Sequence, residues 1–106
     1  MYARVTVARP QPDRLDEAVA IVKGTFFAAA QQQQGYCGFL LLVDQDARQL
    51  TGISLWESEA DREASAGGSG YYEKAIADFA ALLSMPSVTT NVDVAACDLS
   101  SLPRPA

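Results

Sequence analysis

The side chains that perform most enzymatic chemistry are sparse in this sequence. Among its 106 residues there is no histidine. That removes Ser-His-Asp and Cys-His nucleophile systems, and ordinary zinc and haem sites, because each uses an imidazole as base or ligand. Cys37 and Cys97 lie far apart without metal-ligand spacing, so no metal site is expected. Cys37 sits in an apolar run with no cation beside it, which favours an inert thiol, and Cys97 has no partner in view. Both read as structural residues and as reduced thiols of a cytoplasmic protein; a disulfide between them is the less favoured reading.

Gly67-Gly68-Ser69-Gly70 precedes a helical pattern and could offer backbone amides to an anion. It lacks the Lys and the preceding strand of a phosphate loop, so a hinge is the better reading. Such a hinge could act as the lid of a pocket, since Tyr71 and Tyr72 follow it directly. Tyr72 falls on the apolar stripe of the helix, where packing accounts for it, whereas Tyr71 lies off the stripe and is freer to meet a ligand. The remaining leads are polar residues inside strand patterns. Arg4, Thr6, Ser54, Asn91 and Asp93 fall on one sheet face by alternation. An Arg4–Asp93 ion pair is the plainer account; a site for a small polar or anionic group is the other.

These residues depend on elements that the periodicity predicts. Residues Tyr2 to Ala8 alternate as a half-buried strand, stopped by Pro10 and Pro12. Asp13 and Asp16 mark a helix start. Leu15, Ala18, Val19, Val22, Phe26 and Ala30 form its apolar stripe, Gln31 to Gln34 its solvated end, and Gly35 a left-handed stop. Tyr36 to Val43 is a strongly apolar strand, Asp44 to Gln49 a polar hairpin turn, and Leu50 to Glu57 the returning strand. Ser58 and Asp61 give an S-x-x-D cap for a short helix through about Ser65. A second helix runs from about Tyr71 to Ser84, with Tyr72, Ala75, Ile76, Phe79, Leu82 and Leu83 as its stripe. Pro86 closes it and Ser87 to Val94 is the last strand. The order β-α-β-β-α-β predicts an α+β, ferredoxin-like fold: a four-stranded antiparallel sheet with helices on one face, occupying residues 1–98 as one domain, with 99–106 as a tail.

Bulk properties exclude several partners. The chain carries 13 acidic against 8 basic residues, a net charge of −5, and its Arg and Lys are scattered singly. Nucleic acid and anionic membrane surfaces both call for concentrated cationic faces. No apolar run approaches the ~20 residues of a membrane span, and the N-terminus enters the strand pattern at once, leaving no room for a signal peptide.

The sheet poses a surface problem. Ala3, Val5, Val7, Phe39, Leu41, Val43, Ile53, Leu55, Val92 and Val94 are expected to face the helices. Tyr36, Leu40, Leu42, Leu50 and Trp56 then point the other way, where a solvated face should be polar. An exposed apolar patch of that size marks an interface, so a homodimer is expected, joined through Tyr36, Leu40, Leu42 and Leu50. Symmetric pairing of two sheets covers such a face.

Gly38-Phe39-Leu40-Leu41-Leu42-Val43, with Ser54-Leu55-Trp56-Glu57-Ser58-Glu59-Ala60-Asp61 after it, resembles the antibiotic-biosynthesis-monooxygenase-like family of dimeric α+β barrels. The strand ending in Trp-Glu-Ser-Glu and running into a capped helix carries the likeness. The resemblance implies face-to-face sheets in a dimer and a pocket in each subunit between helices and sheet. Some members oxidise aromatic polyketides with molecular oxygen and no cofactor. Others degrade haem with an Asn on the first strand, a Trp at the end of the third and a His on the last helix. Only the Trp carries over, as Trp56; Thr6, Val7 and Ala8 offer no Asn, and there is no His, so haem degradation of that kind is excluded. The family places this Trp near the pocket, whereas alternation puts Trp56 on the dimer face; a bulge or twist would reconcile them.

Three functions follow. The first is cofactor-independent oxygenation of an electron-rich aromatic in a small hydrophobic pocket. Trp56, Tyr71 and Tyr72 would shape it, and Ser54 or Asn91 would supply a hydrogen bond. The second is a non-catalytic dimeric module that binds a small hydrophobic molecule; the third is a small isomerase or cyclase of the same architecture. No cofactor is expected in any of them.

Overall fold

The computed structural model describes residues 1–65 and 70–98, with the backbone alone at 70–72. The predicted Gly67-Gly68-Ser69 hinge, the 99–106 tail and the side chains of Tyr71 and Tyr72 lie outside the described residues. The strands are β1 (Tyr2–Ala8), β2 (Tyr36–Asp44), β3 (Gln49–Trp56) and β4 (Val88–Asp93). Between β1 and β2 runs one long helical stretch: α1 (Leu15–Ile21), a π-helical turn (Val22–Phe26) and α2 (Phe27–Gln31). Between β3 and β4 lie α3 (Glu59–Ser65) and α4 (Gly70–Ala80). The strands form one antiparallel sheet in the order β2-β3-β1-β4, the ferredoxin-like order expected from the sequence.

Local chemistry accounts for most boundaries. Ser58 Oγ accepts the Asp61 N–H at 3.0 Å, the predicted cap of α3. The first helix begins without a side-chain cap, its N-cap being Arg14 rather than Asp13. It ends at Gln31, so the glutamines after it are not helical. Gly35 then takes φ 78°, and a Cβ there would overlap the Asp61 side chain; only glycine makes this turn cheaply.

Register fixes which residues share a face, because directly paired residues of adjacent strands point the same way. Arg4 pairs with Ser54 and Asn91, Thr6 with Gly52 and Thr89, and Ala8 with Leu50. Phe39 pairs with Ser54 and Leu41 with Gly52. These residues, with Trp56, lie on the helix side. Leu50 is 1% exposed and packs with Leu15 and Ala18, beside Val19, Leu41, Phe79 and Leu82. The expected assignment therefore holds for β2, where Phe39 and Leu41 face the helices, and is inverted for β1, β3 and β4. Ala3, Val5, Val7, Ile53, Leu55 and Val92 face outward with Leu40 and Leu42.

Two expected interface residues are corrected by this arrangement. Leu50 belongs to the core under α1. Tyr36 also turns to the helix side, because an irregularity between Tyr36 and Gly38 shifts the register and brings its ring edge-on to Trp56, centroids 5.9 Å apart. The bulge places one extra residue, Cys37, in β2 and so changes the face of everything before it. The outer face that remains is more apolar than expected. Leu42 is 50% and Val88 65% exposed on it.

Candidate functional site

The helix side of the sheet is not packed solid. β1, β3 and β4 present short or polar side chains there, Thr6, Gly52, Ser54 and Thr89, while the helices stand off on bulky ones. The result is a cavity of about 310 Å³ between sheet and helices, at the small end of the range for small-molecule sites. Its apolar wall is built by Phe26, Phe39, Leu41, Leu50, Ile76 and Phe79. Phe26 meets Phe79 edge to face at 5.4 Å, and Phe39 is held by Phe27 at 4.7 Å. Gly52 leaves room for Phe39: a Cβ there would lie 3.3 Å from the ring. The π-helical turn sits directly over this space, contributing Val22 and Phe26 from its two ends; such turns recur at functional sites.

The polar end is formed by Arg4, Ser54, Thr6 and Thr89. Arg4 Nη1 donates to Ser65 Oγ at 2.9 Å, and Nη2 donates to the Arg62 carbonyl. Thr6 and Thr89 share a hydroxyl hydrogen bond of 3.1 Å. Trp56 is 1% exposed and its Nε1–H donates to Ser54 Oγ at 2.9 Å. An indole nitrogen can only donate, so Ser54 Oγ is the acceptor and its own proton is available to another group. Behind this wall a smaller void of about 20 Å³ lies among Arg4, Gln33, Phe39, Ser54, Trp56 and Ser65.

Of the residues singled out in the sequence, Arg4, Thr6 and Ser54 meet at the cavity, and Trp56 stands behind Ser54. This settles the sidedness of Trp56: it lies on the helix side. Alternation along β3 is intact, and the covered side of that strand is the one opposite to expectation. Asn91 is exposed and is not among the cavity-lining residues. Asp93 pairs with Tyr2, two positions along β1 from Arg4. The phenylalanines, Val22 and Gly52 were missed as cavity residues, because apolar side chains at helical spacing read as solid core.

Arg62 was also missed. It is 5% exposed, donates from Nη1 to the carbonyls of Val92 (3.2 Å) and Ala3 (3.4 Å), and lies 5.7 Å over the Tyr2 ring. It holds α3 to β1 and β4. Its carboxylate neighbours Glu59 and Glu63 are largely exposed, so those ion pairs are weak. Burial pushes the Tyr36 hydroxyl above its ordinary value. Partial burial, then the Glu57 carboxylate, does the same to Cys37. Both cysteines are free thiols. Among the described residues no group of three or more His, Cys, Asp or Glu side chains is placed to hold a metal ion, and no helix is long and apolar enough to cross a membrane.

No protein-family model and no curated protein matches the chain in sequence. Solved structures match it closely in shape. The Streptomyces coelicolor monooxygenase from the gene ActVA-Orf6, in complex with the ligand Nanaomycin D, superposes with a TM-score of 0.78 at 16% identity, covering 94% of this chain and 92% of that one. A variant of SnoaB, a cofactor-independent oxygenase from Streptomyces nogalater, gives a TM-score of 0.70 at 16% identity, covering 94% and 97%. Rv0793 from Mycobacterium tuberculosis gives 0.73 at 21% identity, covering 94% and 98%. The chain thus has the fold of the antibiotic-biosynthesis-monooxygenase-like proteins, as the Trp-Glu-Ser-Glu segment implied. At these identities the likeness is one of fold and carries no activity across.

Proposed function

We propose that this chain is a homodimeric, cytoplasmic protein that takes a small aromatic molecule between its helices and its sheet, and that it oxidises that molecule with molecular oxygen and no cofactor. The observation that carries the proposal is the cavity: apolar and aromatic on most sides, with hydrogen-bond donors gathered at one end. In such chemistry the substrate is its own reductant. An electron-rich phenol of the anthrone type loses a proton, its carbanion reduces oxygen, and a ring CH₂ with O₂ becomes C=O with release of water. The protein's part is to exclude solvent, orient the ring and stabilise the anion. Phe26, Phe39 and Phe79 supply the walls and Ser54 a hydrogen bond. Tyr71 and Tyr72 are the further candidates from the sequence. Free thiols suit a reducing compartment. Likeness to oxygenases of the same fold supports this reading.

The dimer forms through the outer sheet face. Leu40 and Leu42 are shared with the expected interface, joined by Val5, Val7, Ile53, Val88 and Val92. Burying each large side chain is worth about 1.5–3 kcal/mol, and Leu42, Val88 and Val92 stand exposed on that face.

A second reading, a binder without catalysis, is favoured by the wall of the cavity itself. Among the described residues that line it, Arg4 is the one ionisable side chain and none is a carboxylate that could serve as base. Oxygen uptake with a panel of reduced anthrone-like and hydroquinone-like phenols separates the two. Consumption of one O₂ per substrate oxidised supports the oxygenase. Saturable binding without uptake across the panel retires it in favour of the binder.

A further inference from the structure

We infer that Gly52 is a specificity-determining residue of the cavity, and that it selects a flat aromatic ligand of two or three fused rings whose face lies on the bare backbone of β3 beside Phe39. The inference rests on the reading of the cavity as a small-molecule site, and adds the shape and pose of what occupies it.

A glycine inside a strand weakens it, because glycine has the most conformational freedom to lose and no side chain to pack. Gly52 occupies such a position. It lies within β3 and is paired on both sides, with Thr6 of β1 and Leu41 of β2. Its conformation does not call for glycine, since Gly35 and not Gly52 has a positive φ. Close packing does not call for it either. Apart from its chain neighbours, the Phe39 ring alone among the described residues comes within 4 Å of a Cβ placed there, with Cε1 at 3.3 Å and Cζ at 3.5 Å. Those are the outermost atoms of a side chain, which can give by the little that a methyl group needs. Gly52 lines the cavity, so what the missing side chain leaves open is room for a ligand.

That room has a shape. On the helix side, Leu41, Gly52, Thr6 and Thr89 form one row across the four strands, and the gap falls at its second place. Phe39 flanks the gap and packs on Phe27 at 4.7 Å. Opposite, on the helices, stand Phe26 and Phe79. A peptide plane on one side with aromatic rings on the others forms a slot. A flat ring uses both surfaces, and a glycine within a strand often marks such a close approach. Size follows from volume. An apolar cavity of about 150 Å³ accommodates benzene, so one of about 310 Å³ takes two or three fused rings.

The test pairs two alcohols of equal carbon count, the flat 2-naphthol and the globular 1-adamantanol. Calorimetric titration of the wild-type chain is expected to show 2-naphthol bound about tenfold more tightly, the combined effect of two ring-on-ring contacts. Gly52→Ala should weaken 2-naphthol by about tenfold or more, as an added carbon does in an apolar pocket, with a urea midpoint at or above that of the parent. A glycine kept for the sheet alone would give a lower midpoint instead. Equal or tighter binding of 1-adamantanol by the wild type overturns the flat pose and leaves a small-molecule site in place. A Gly52→Ala chain that binds 2-naphthol like the parent, unfolds at lower urea or does not fold overturns the role of Gly52. Failure of both alcohols to bind the wild type overturns the inference together with the reading of the cavity as a small-molecule site. The first comparison uses the unmodified chain, so it stands whatever the variant does.

Discussion

At the scale of single residues, the pair Ser54–Trp56 links the cavity to the stability of the sheet. Trp56 is fully buried and its indole N–H has Ser54 Oγ as partner. Removing the hydroxyl leaves a buried donor unsatisfied, a loss of about 1–3 kcal/mol. Ser54→Ala should accordingly lower the unfolding free energy by that amount, read as a lower urea midpoint with an unchanged slope, and should weaken the near-ultraviolet circular dichroism of the chain's single Trp. Cys37 offers a pH prediction. Partial burial and the Glu57 carboxylate disfavour its thiolate, so its pKa lies above the 9.0 of a free thiol. For an acid whose folded pKa is raised, the stabilising contribution is complete below the unfolded value and is lost as pH rises through the folded one. Stability should therefore decline above pH 9.0, less steeply in Cys37→Ser. Iodoacetamide should modify Cys37 more slowly at pH 8 than it modifies an unfolded-chain thiol. Tyr36, raised above 10.0 by burial, adds to the same alkaline decline at higher pH.

At the scale of elements, strand and helix order was readable because period-two alternation in Tyr2–Ala8 and Val88–Asp93, and the Ser58 cap, are local signals. Sidedness was not. Alternation divides each strand into two faces but does not say which is covered. Choosing the more apolar set of β1, β3 and β4 for the helix side assumed a solid core; the molecule instead encloses a cavity, and polar or small residues, Arg4, Thr6, Gly52 and Ser54, line it. The same assumption hid Phe26 and Phe79. The bulge at Cys37 was likewise invisible, since an extra residue in β2 leaves no mark on composition. The candidate polar set was legible in part: Arg4, Thr6 and Ser54 were singled out together by alternation alone. Among the turns, Gly35 is the most demanding, with φ 78° and the Asp61 side chain where a Cβ would stand. Gly35→Ala should cost more than the ~1 kcal/mol usual for a left-handed glycine, read as a lowered thermal midpoint. It should also loosen the start of α3, because the Gly35 carbonyl accepts the Glu57 N–H at 2.9 Å.

At the scale of the whole molecule, the inverted sheet has a consequence for assembly. The side carrying most of the branched aliphatic residues is the one that no described helix covers, and the side under the helices is the one equipped with polar groups and empty volume. Such a distribution suits a chain whose outer face pairs with its copy, leaving the inner face free to bind. Leu42 lies half exposed on that outer face and is not among the cavity-lining residues. Leu42→Asp places a charge in the proposed joint, where burying it unpaired is costly, and should yield monomers that retain the helical content of the parent. The most direct measurement is sedimentation equilibrium of the wild-type chain and Leu42→Asp at micromolar concentration. The account predicts a wild-type particle of twice the 11.3 kDa chain mass and a variant at or near the single-chain mass. A wild-type particle at the single-chain mass, unaltered by the substitution, would contradict it.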